Sequence, residues 1–173
     1  TFFRNIIILS LIITAFNITS CSDISKSCCD EILNFSYTEN DSIVKQNIDI
    51  AEKCSQKYHK RPEFLQKISQ IYYYDAINNY TSEEESVINI QSSTKKLYLA
   101  LENINTYFSK IDEIKPYDYA FRGEIYEILG DIYKDINSLK PATELYDNAL
   151  SDYQSSGNNE KYLNTLIKIG KLY

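Results

Sequence analysis

The side chains in this chain that are best able to do chemistry are four thiols and one imidazole. Cysteines stand at positions 21, 28, 29 and 54, and His59 is the only histidine. The spacing of Cys28, Cys29 and Cys54 matches no zinc or redox motif. An oxidising compartment permits a disulfide from Cys28 or Cys29 to Cys54, which leaves one of the three unpaired. We therefore interpret these three cysteines as structural.

Catalysis needs a set of cooperating polar side chains, and the sequence offers none. His59 lies in the polar stretch QKYHKRPE, where a surface histidine is expected. The glutamate run at 83–85 is typical of a solvated loop. We find no Ser/His/Asp set, no glycine-rich phosphate loop and no His/Cys metal cluster in the sequence. The sequence therefore predicts that the chain is not an enzyme and uses no metal or cofactor, which favours a binding function.

Cys21 differs from the other thiols because of the segment before it. Residues 6–16 form an apolar run without charge, behind a single cation, Arg4. The run is shorter than the roughly 20 residues that a membrane-spanning helix needs, and it has the length of a signal-peptide core. The chain begins with Thr1 rather than Met, so we expect it to be a fragment. Residues 1–20 are predicted to be an export signal.

The tetrapeptide ITSC at 18–21 resembles the cleavage box of bacterial lipoproteins. The resemblance implies that the signal is removed, that Cys21 becomes the N-terminus and that its sulfur carries a lipid, with acyl chains such as palmitate. The implied location is the bacterial cell envelope, on its periplasmic or surface side, with membrane contact through the lipid. The implied organisation is a lipoprotein signal at 1–20, a tether and first turn at 21–40, and a helical domain at 41–173. An ordinary secretory signal and a short membrane anchor are the alternatives.

Composition limits the class of fold and of partner. The 173 residues carry a net charge of −6, and the part after residue 20 carries −7 because Arg4 is the only charged residue before it. Nucleic acid and anionic membrane surfaces demand a cationic face, so neither is an expected partner. The chain has 16 Tyr and 7 Phe but only 4 Gly and 3 Pro. Few helix breakers and many helix formers predict an all-α fold.

Apolar residues recur at helical spacing from residue 30 onward. The pattern predicts helices at 41–58, 62–80, 116–136, 141–154 and 161–173, and either one long or two short helices across 86–110. Pro62, Pro116 and Pro141 stand at predicted helix starts, where proline is tolerated. Polar loops are predicted at 81–86 and 155–160, and no segment has the alternation typical of a strand.

Two helical stretches repeat one pattern. YEILGDIY at 126–133 and LIKIGKLY at 166–173 share an apolar residue, an aliphatic residue, a glycine and a tyrosine at a shift of 40 residues, and LQKISQIY at 65–72 fits with Ser69 in place of glycine. The pattern resembles the tetratricopeptide repeat (TPR) family in its long, about 40-residue bacterial form, best over 116–173. The resemblance implies an α-solenoid of antiparallel helix hairpins.

The same resemblance implies packing roles. Gly130 and Gly170 would lie where two helices approach closely, and Ala142 and Ala149 would do the same from the second helix. Tyr126 would fill the gap between layers. The full packing set is Tyr126, Leu129, Gly130, Tyr133, Ala142, Tyr146, Ala149, Gly170 and Tyr173.

Helix-pair repeats generally bind partners along the concave face formed by the first helix of each pair. The residues off the packing stripe of the helix at 116–136 are mostly acidic: Glu124, Glu127, Asp131, Lys134 and Asp135. They predict an acidic groove that binds a basic protein or peptide segment, and a merely solvated helix face is the alternative. The Lys/Asn clamp that some TPR domains use for acidic C-termini is not present.

The favoured function is a non-enzymatic scaffold, a lipid-anchored TPR-type protein that binds protein partners. The first alternative is the N-terminal sensing or oligomerising segment of a larger regulator or kinase. Tyr173 ends the sequence inside a repeat without a polar capping helix, so we expect more chain to follow. A minor alternative is an adaptor in vesicle trafficking, because EIYE and ALSDYQSS are similar to segments of soluble NSF attachment protein (SNAP).

Overall fold

The computed structural model of the chain describes residues 26–34, 41–57, 62–80 and 87–173. Regular structure in these ranges is α-helical throughout, which confirms the all-α fold class. The helices in chain order are α1 (Lys26–Leu33), α2 (Asp41–Lys57), α3 (Glu63–Tyr80), α4 (Val87–Phe108), α5 (Pro116–Asp135), α6 (Leu139–Ser156) and α7 (Asn159–Gly170).

Several sequence predictions fall outside the described residues. They are the signal at 1–20, the lipid site at Cys21, the histidine at position 59 and the glutamates at 83–85. Cys28 lies within a described helix, but its side chain is not among those that the structure describes. These predictions stay predictions.

Proline and polar side chains set the start of α5. Pro116 is the first residue of the helix, where its missing N–H would have had no intrahelical partner. Asp118 accepts a hydrogen bond from the backbone N–H of Lys115 at 3.4 Å, and also from the side chains of Gln66 and Tyr107. Because Gln66 belongs to α3 and Tyr107 to α4, the buried Asp118 joins the start of α5 to both of these helices.

The connection between α6 and α7 is shorter than the predicted loop at 155–160. Gly157 ends α6 with φ of 71°, a left-handed conformation that glycine adopts without strain. The side chain of Asn158 then accepts a hydrogen bond from the backbone N–H of Lys161 at 3.2 Å and caps α7. Helix α6 also begins at Leu139, two residues before Pro141, because proline is tolerated anywhere in a first helical turn.

The helices form two antiparallel hairpins, and α7 follows the second. Helix α3 packs most extensively on α4, and α5 packs most extensively on α6. Helix α4 is a single uninterrupted helix, which decides between the two possibilities that the sequence left open. The main core unites apolar residues of α1 to α5, and a smaller cluster of Ala142, Tyr146 and Leu172 joins α6 to the end of the chain.

Helix α1 lies in the range predicted as a tether and first turn. Cys29 of α1 forms a disulfide with Cys54 of α2, with the two Cα atoms 5.6 Å apart. The side chains of Cys29 and Ile32 are buried. Residues 26–33 are therefore a packed part of the helical domain.

Candidate functional site

Two glycines of α5 lie directly against two tyrosines of α6. A Cβ atom on Gly130 would lie 2.6 Å from Cε1 of Tyr146, and one on Gly123 would lie 2.8 Å from Cε1 of Tyr153. Gly130 follows Gly123 by seven residues on α5, and Tyr146 precedes Tyr153 by seven residues on α6. The two helices therefore run antiparallel. Such spacing keeps both contacts on one face of each helix. The α5–α6 contact therefore consists of one large-on-small arrangement used twice.

The first hairpin has its own pair of close contacts at the same spacing. Ser69 Oγ of α3 donates a hydrogen bond to the Ala100 carbonyl of α4 at 2.6 Å, and Ser93 Oγ of α4 donates to the Ala76 carbonyl at 3.0 Å. Small side chains again allow the two backbones to approach closely. Ser69, like Gly123, lies in the first half of its helix, so Gly123 rather than Gly130 is its counterpart. The segment YAFRGEIY at 119–126 carries this signal and lies outside the predicted repeat pattern at 126–133.

The remaining packing residues of α5 and α6 lie inside or beside this contact. Leu129, Ala142 and Ala149 are fully buried. Tyr133 is half-buried and accepts a hydrogen bond from the Tyr98 hydroxyl of α4 at 3.2 Å. Tyr126 is half-buried, with the guanidinium carbon of Arg122 6.0 Å from its ring centre.

Gly170 and Tyr173 do not make the close contacts expected of them. A Cβ on Gly170 would meet no atom within 4 Å. Tyr173 is 91% exposed, and its hydroxyl lies 3.3 Å from Oγ1 of Thr143. These contacts are absent because no described helix covers this face of α7.

Glu127 and Asp131 of α5 form an acid–lysine cluster with Lys168 of α7. Nζ of Lys168 lies 2.7 Å from Oε1 of Glu127 and 2.6 Å from Oδ2 of Asp131. The Tyr153 hydroxyl donates to Oε2 of Glu127 at 2.5 Å, and the Tyr146 hydroxyl donates to Oδ1 of Asp131 at 2.7 Å. The tyrosines that pack on the glycines thus also hold the carboxylates that bind α7.

Glu127 and Lys168 are held in their charged forms by their contacts. Burial alone would raise the pKa of Glu127, but hydrogen bonds from Lys168 and Tyr153 hold that pKa below its ordinary value. Burial would lower the pKa of Lys168, and its two carboxylate partners raise it instead. Burial and the adjacent carboxylates raise the pKa of Tyr146 and of Tyr153, so both hydroxyls remain hydrogen-bond donors. These hydrogen bonds and ion pairs therefore join α5 to α6 and α7.

The expected open acidic groove is not what the structure shows. Glu127 is only 7% exposed, and Asp131 is half-buried against Lys168. Glu127 comes four residues after Gly123 and three before Gly130, so it shares the glycine face that α6 covers. The helical period thus placed this carboxylate on the packed side, although its charge suggested the solvent side.

The other three residues predicted to line the groove are Glu124, Lys134 and Asp135, and they are more exposed than Glu127. Glu124 accepts a hydrogen bond from the Tyr73 hydroxyl of α3 at 3.3 Å and lies 3.9 Å from Nζ of Lys161 on α7. Lys134 and Asp135 are exposed, and Nζ of Lys134 lies 3.3 Å from Oδ1 of Asp135. The row of charges therefore connects α3, α5 and α7, and whether any of it binds a partner stays a prediction.

Arg122 is a structural cation that the sequence analysis did not identify. Its guanidinium donates to both carboxylate oxygens of Asp152 on α6, at 2.8 and 2.7 Å, and to the side chain of Asn105 on α4. The guanidinium carbon also lies 4.3 Å from the centre of the Phe108 ring. Burial would lower the pKa of Arg122, but Asp152 raises it. Arg122 therefore joins α5 to both α4 and α6.

Within the four described ranges, no group of three or more His, Cys, Asp or Glu side chains is arranged to hold a metal ion. None of the helices described is long and apolar enough to cross a membrane. Comparison of the chain with protein-family models, curated proteins and solved structures finds no match. Function must therefore be inferred from the contacts and charges of the chain itself.

Proposed function

We propose that this chain is a non-enzymatic protein-binding scaffold built from TPR-like helix hairpins. The observation that carries the proposal is the repeated close contact between paired helices. It occurs at Ser69 and Ala76 of α3 and again at Gly123 and Gly130 of α5. Stacked helix-pair repeats create extended surfaces that commonly bind other proteins.

Contacts between successive hairpins also support a repeat arrangement. Tyr73 of α3 makes an edge-to-face contact with Phe121 of α5, with ring centres 5.2 Å apart. Lys161 and Lys168 of α7 both contact acidic residues of α5. Side chains of α3 and of α7 thus both contact α5, which supports treating these three helices as the first helices of successive repeats in an α-solenoid.

A lipid on Cys21 would hold the scaffold at a membrane of the bacterial envelope. Support comes from ITSC at the end of the apolar run and from the disulfide between Cys29 and Cys54. Disulfides persist mainly in oxidising compartments, outside the cytoplasm. The two observations are independent, since one concerns the leader and the other the folded domain.

The partner we propose is a protein or peptide with a basic segment. The chain has a net charge of −6, which favours encounter with a cationic ligand. Glu127 and Asp131 are already bound to Lys168, so they are not the primary contacts. Exposed tyrosines are better candidates, because aromatic side chains are enriched at protein interfaces. Among the described side chains of α3, α4 and α5, these are Tyr74, Tyr98 and Tyr117.

Photo-crosslinking in cells tests this proposal. Each of Tyr74, Tyr98 and Tyr117 is replaced, one at a time, by a photoreactive phenylalanine analogue in the full chain. A scaffold with a specific binding face gives a discrete adduct with another protein at one or two positions and none at the rest. No adduct at any position, or equal adducts at all three, would contradict a specific protein-binding role.

The alternative of an oligomerising segment is favoured by a different observation. Helix α7 exposes an apolar face, with Leu163 and Ile167 more than half exposed. Such a face is typical of a surface that another helix covers. The two functions are compatible, since a scaffold can also self-associate.

A further inference from the structure

The disulfide between α1 and α2 fixes where the chain enters the helical domain. Cys29 of α1 is bonded to Cys54, which lies in the last turn of α2. The Cα atoms of the two cysteines are 5.6 Å apart, so α1 is held beside the end of α2. Cys21, the proposed lipid site, precedes the first residue of α1 by only five positions. The lipid would therefore be tethered close to the end of α2.

The directions of the helices show which part of the domain lies there. The short connection and the contact of Glu52 with Tyr72 indicate that α2 and α3 are antiparallel. Paired contacts show the same for α3 with α4, α4 with α5 and α5 with α6. The end of α2 therefore lies with the start of α3, the end of α4 and the start of α5. We call this the near end of the domain, and the opposite end of the same helices the far end.

A lipid on Cys21 reaches the near end more easily than the far end. The step from Cys21 to Lys26 spans at most ~18 Å when fully extended. A flexible chain of that length spans about 12 Å on average. Helix α5 has 20 residues and is therefore about 30 Å long. A membrane at the far end would require a nearly extended tether, which costs conformational entropy.

The near end exposes an aromatic ring beside lysines. Tyr117, in the first turn of α5, is 56% exposed. Nζ of Lys115 lies 5.8 Å from the centre of this ring, and Lys110 in the same α4–α5 connection is also exposed. Tyrosine is enriched where membrane meets water, and lysine can extend its ammonium toward the lipid headgroups there. This surface therefore has side chains suited to contact with a phospholipid surface.

The charges of the connections differ between the two ends in the same sense. The α2–α3 connection at 58–62 carries Lys60 and Arg61 and no acid, and the α4–α5 connection at 109–115 carries two lysines and two acids. The α3–α4 connection at 81–86, which joins the far ends of its helices, carries three glutamates. Anionic headgroups attract cations and repel carboxylates. Because the whole chain has a net charge of −6, attachment itself depends on the lipid, and these charges favour one orientation.

We propose that the near end faces the membrane, with Tyr117 and Lys115 at the lipid headgroups and the far end directed away. This inference rests on the proposed lipid at Cys21. Of the three exposed tyrosines proposed as partner contacts, Tyr117 then lies next to lipid. Tyr74 and Tyr98 remain open to a protein partner.

Tryptophan fluorescence tests the orientation. The chain has no tryptophan, so Tyr117→Trp and Ile136→Trp each introduce a single one. The two positions are 56% and 52% exposed. They are separated by about 28 Å along α5. The acylated full chain is reconstituted in vesicles of phosphatidylcholine and phosphatidylglycerol that contain a phospholipid with a nitroxide on its headgroup. We expect the nitroxide to quench Tyr117→Trp at least about twofold more than Ile136→Trp, because tyrosine-type positions lie at the interface.

Flotation of the same vesicles separates this inference from the lipid proposal. We expect the acylated chain to float with the vesicles and Cys21→Ser to stay behind. A wild-type chain that does not float, or a Cys21→Ser chain that does, would overturn the lipid anchor and the orientation with it. If the chain floats through Cys21 but Ile136→Trp is quenched as strongly as Tyr117→Trp, the orientation alone is overturned. Absence of quenching at both positions in a floating chain would overturn it as well.

Discussion

Lys168 of α7 lies 2.7 Å from a carboxylate oxygen of Glu127 on α5. The carboxylate is buried among the residues that join α5 to α6, and it accepts a further hydrogen bond from Tyr153 of α6. Three helices thus meet at one carboxylate. A negative charge that is expected to attract a basic partner instead attaches a lysine of the same chain.

Removing this lysine should loosen α7. Lys168→Met removes the closer of the two cations that Glu127 contacts and leaves only Lys161, whose Nζ lies 3.8 Å from Oε2. Breaking one side of a buried pair is more costly than losing an exposed one. Because Lys168 is partly exposed, we expect the free energy of unfolding to fall by about 2 kcal/mol, measured by denaturant titration. Lys171→Met is the matched control and should change it by less than about 0.5 kcal/mol. Equal effects of the two substitutions would contradict the role of the cluster.

The contribution of Glu127 should disappear in acid. Its pKa in the folded chain lies below the ordinary value of 4.5, so its stabilising effect is present above that pH and is lost as the pH falls through the folded value. Burial raises the pKa of Asp118, which acts in the opposite direction. The informative quantity is therefore the difference in unfolding free energy between wild type and Glu127→Gln. We expect it to shrink between neutral pH and about pH 3, and a constant difference would show that the charge of Glu127 is unimportant.

The disulfide between α1 and α2 should matter for stability. It closes a loop with a sequence separation of 25, for which chain entropy gives about 3–4 kcal/mol. Cys29→Ala should lower the unfolding free energy by an amount of that order and make α1 sensitive to proteases. Cys28→Ala is the neighbouring control. If Cys28→Ala were as destabilising as Cys29→Ala, the pairing described here would be wrong.

The order and type of helices α2 to α7 could be predicted from the sequence, because apolar periodicity and three prolines report directly on helix positions. Burial of individual charges could not be predicted in the same way. Glu127 lies on the glycine face of α5, but its charge suggested solvent. The contact of Gly123 with Tyr153 was not predicted, because the repeat pattern at 126–133 includes Gly130 but not Gly123.

The packed state of α1 and the open side of Gly170 depend on which helices meet in space. Periodicity within one helix does not report on its neighbours. The predicted tether at 21–40 contains α1 because a buried cysteine attaches that segment to α2. Gly170 shares its pattern with Gly130, but Tyr146 of α6 lies against Gly130 and no described atom lies within 4 Å of a Cβ on Gly170.

Acylation of Cys21 is a separate prediction. Metabolic labelling with a fatty-acid analogue should mark the wild-type chain and should not mark Cys21→Ser. The substituted chain should also leave the membrane fraction. Label that persists on the Cys21→Ser chain would show that the leader does not direct a lipid to this thiol.

Matched alanine substitutions at two glycines test the repeat geometry most directly. Alanine normally stabilises a helix relative to glycine, by up to about 1 kcal/mol. At Gly130 the added methyl group meets the Tyr146 ring, which is fully buried and held by Asp131, so overpacking should lower the unfolding free energy by about 1–3 kcal/mol. At Gly170 the space is open, so Gly170→Ala should leave the stability of the monomer unchanged or slightly higher. If Gly130→Ala were as well tolerated as Gly170→Ala, α5 and α6 would not be in close contact and the repeat interpretation would be wrong.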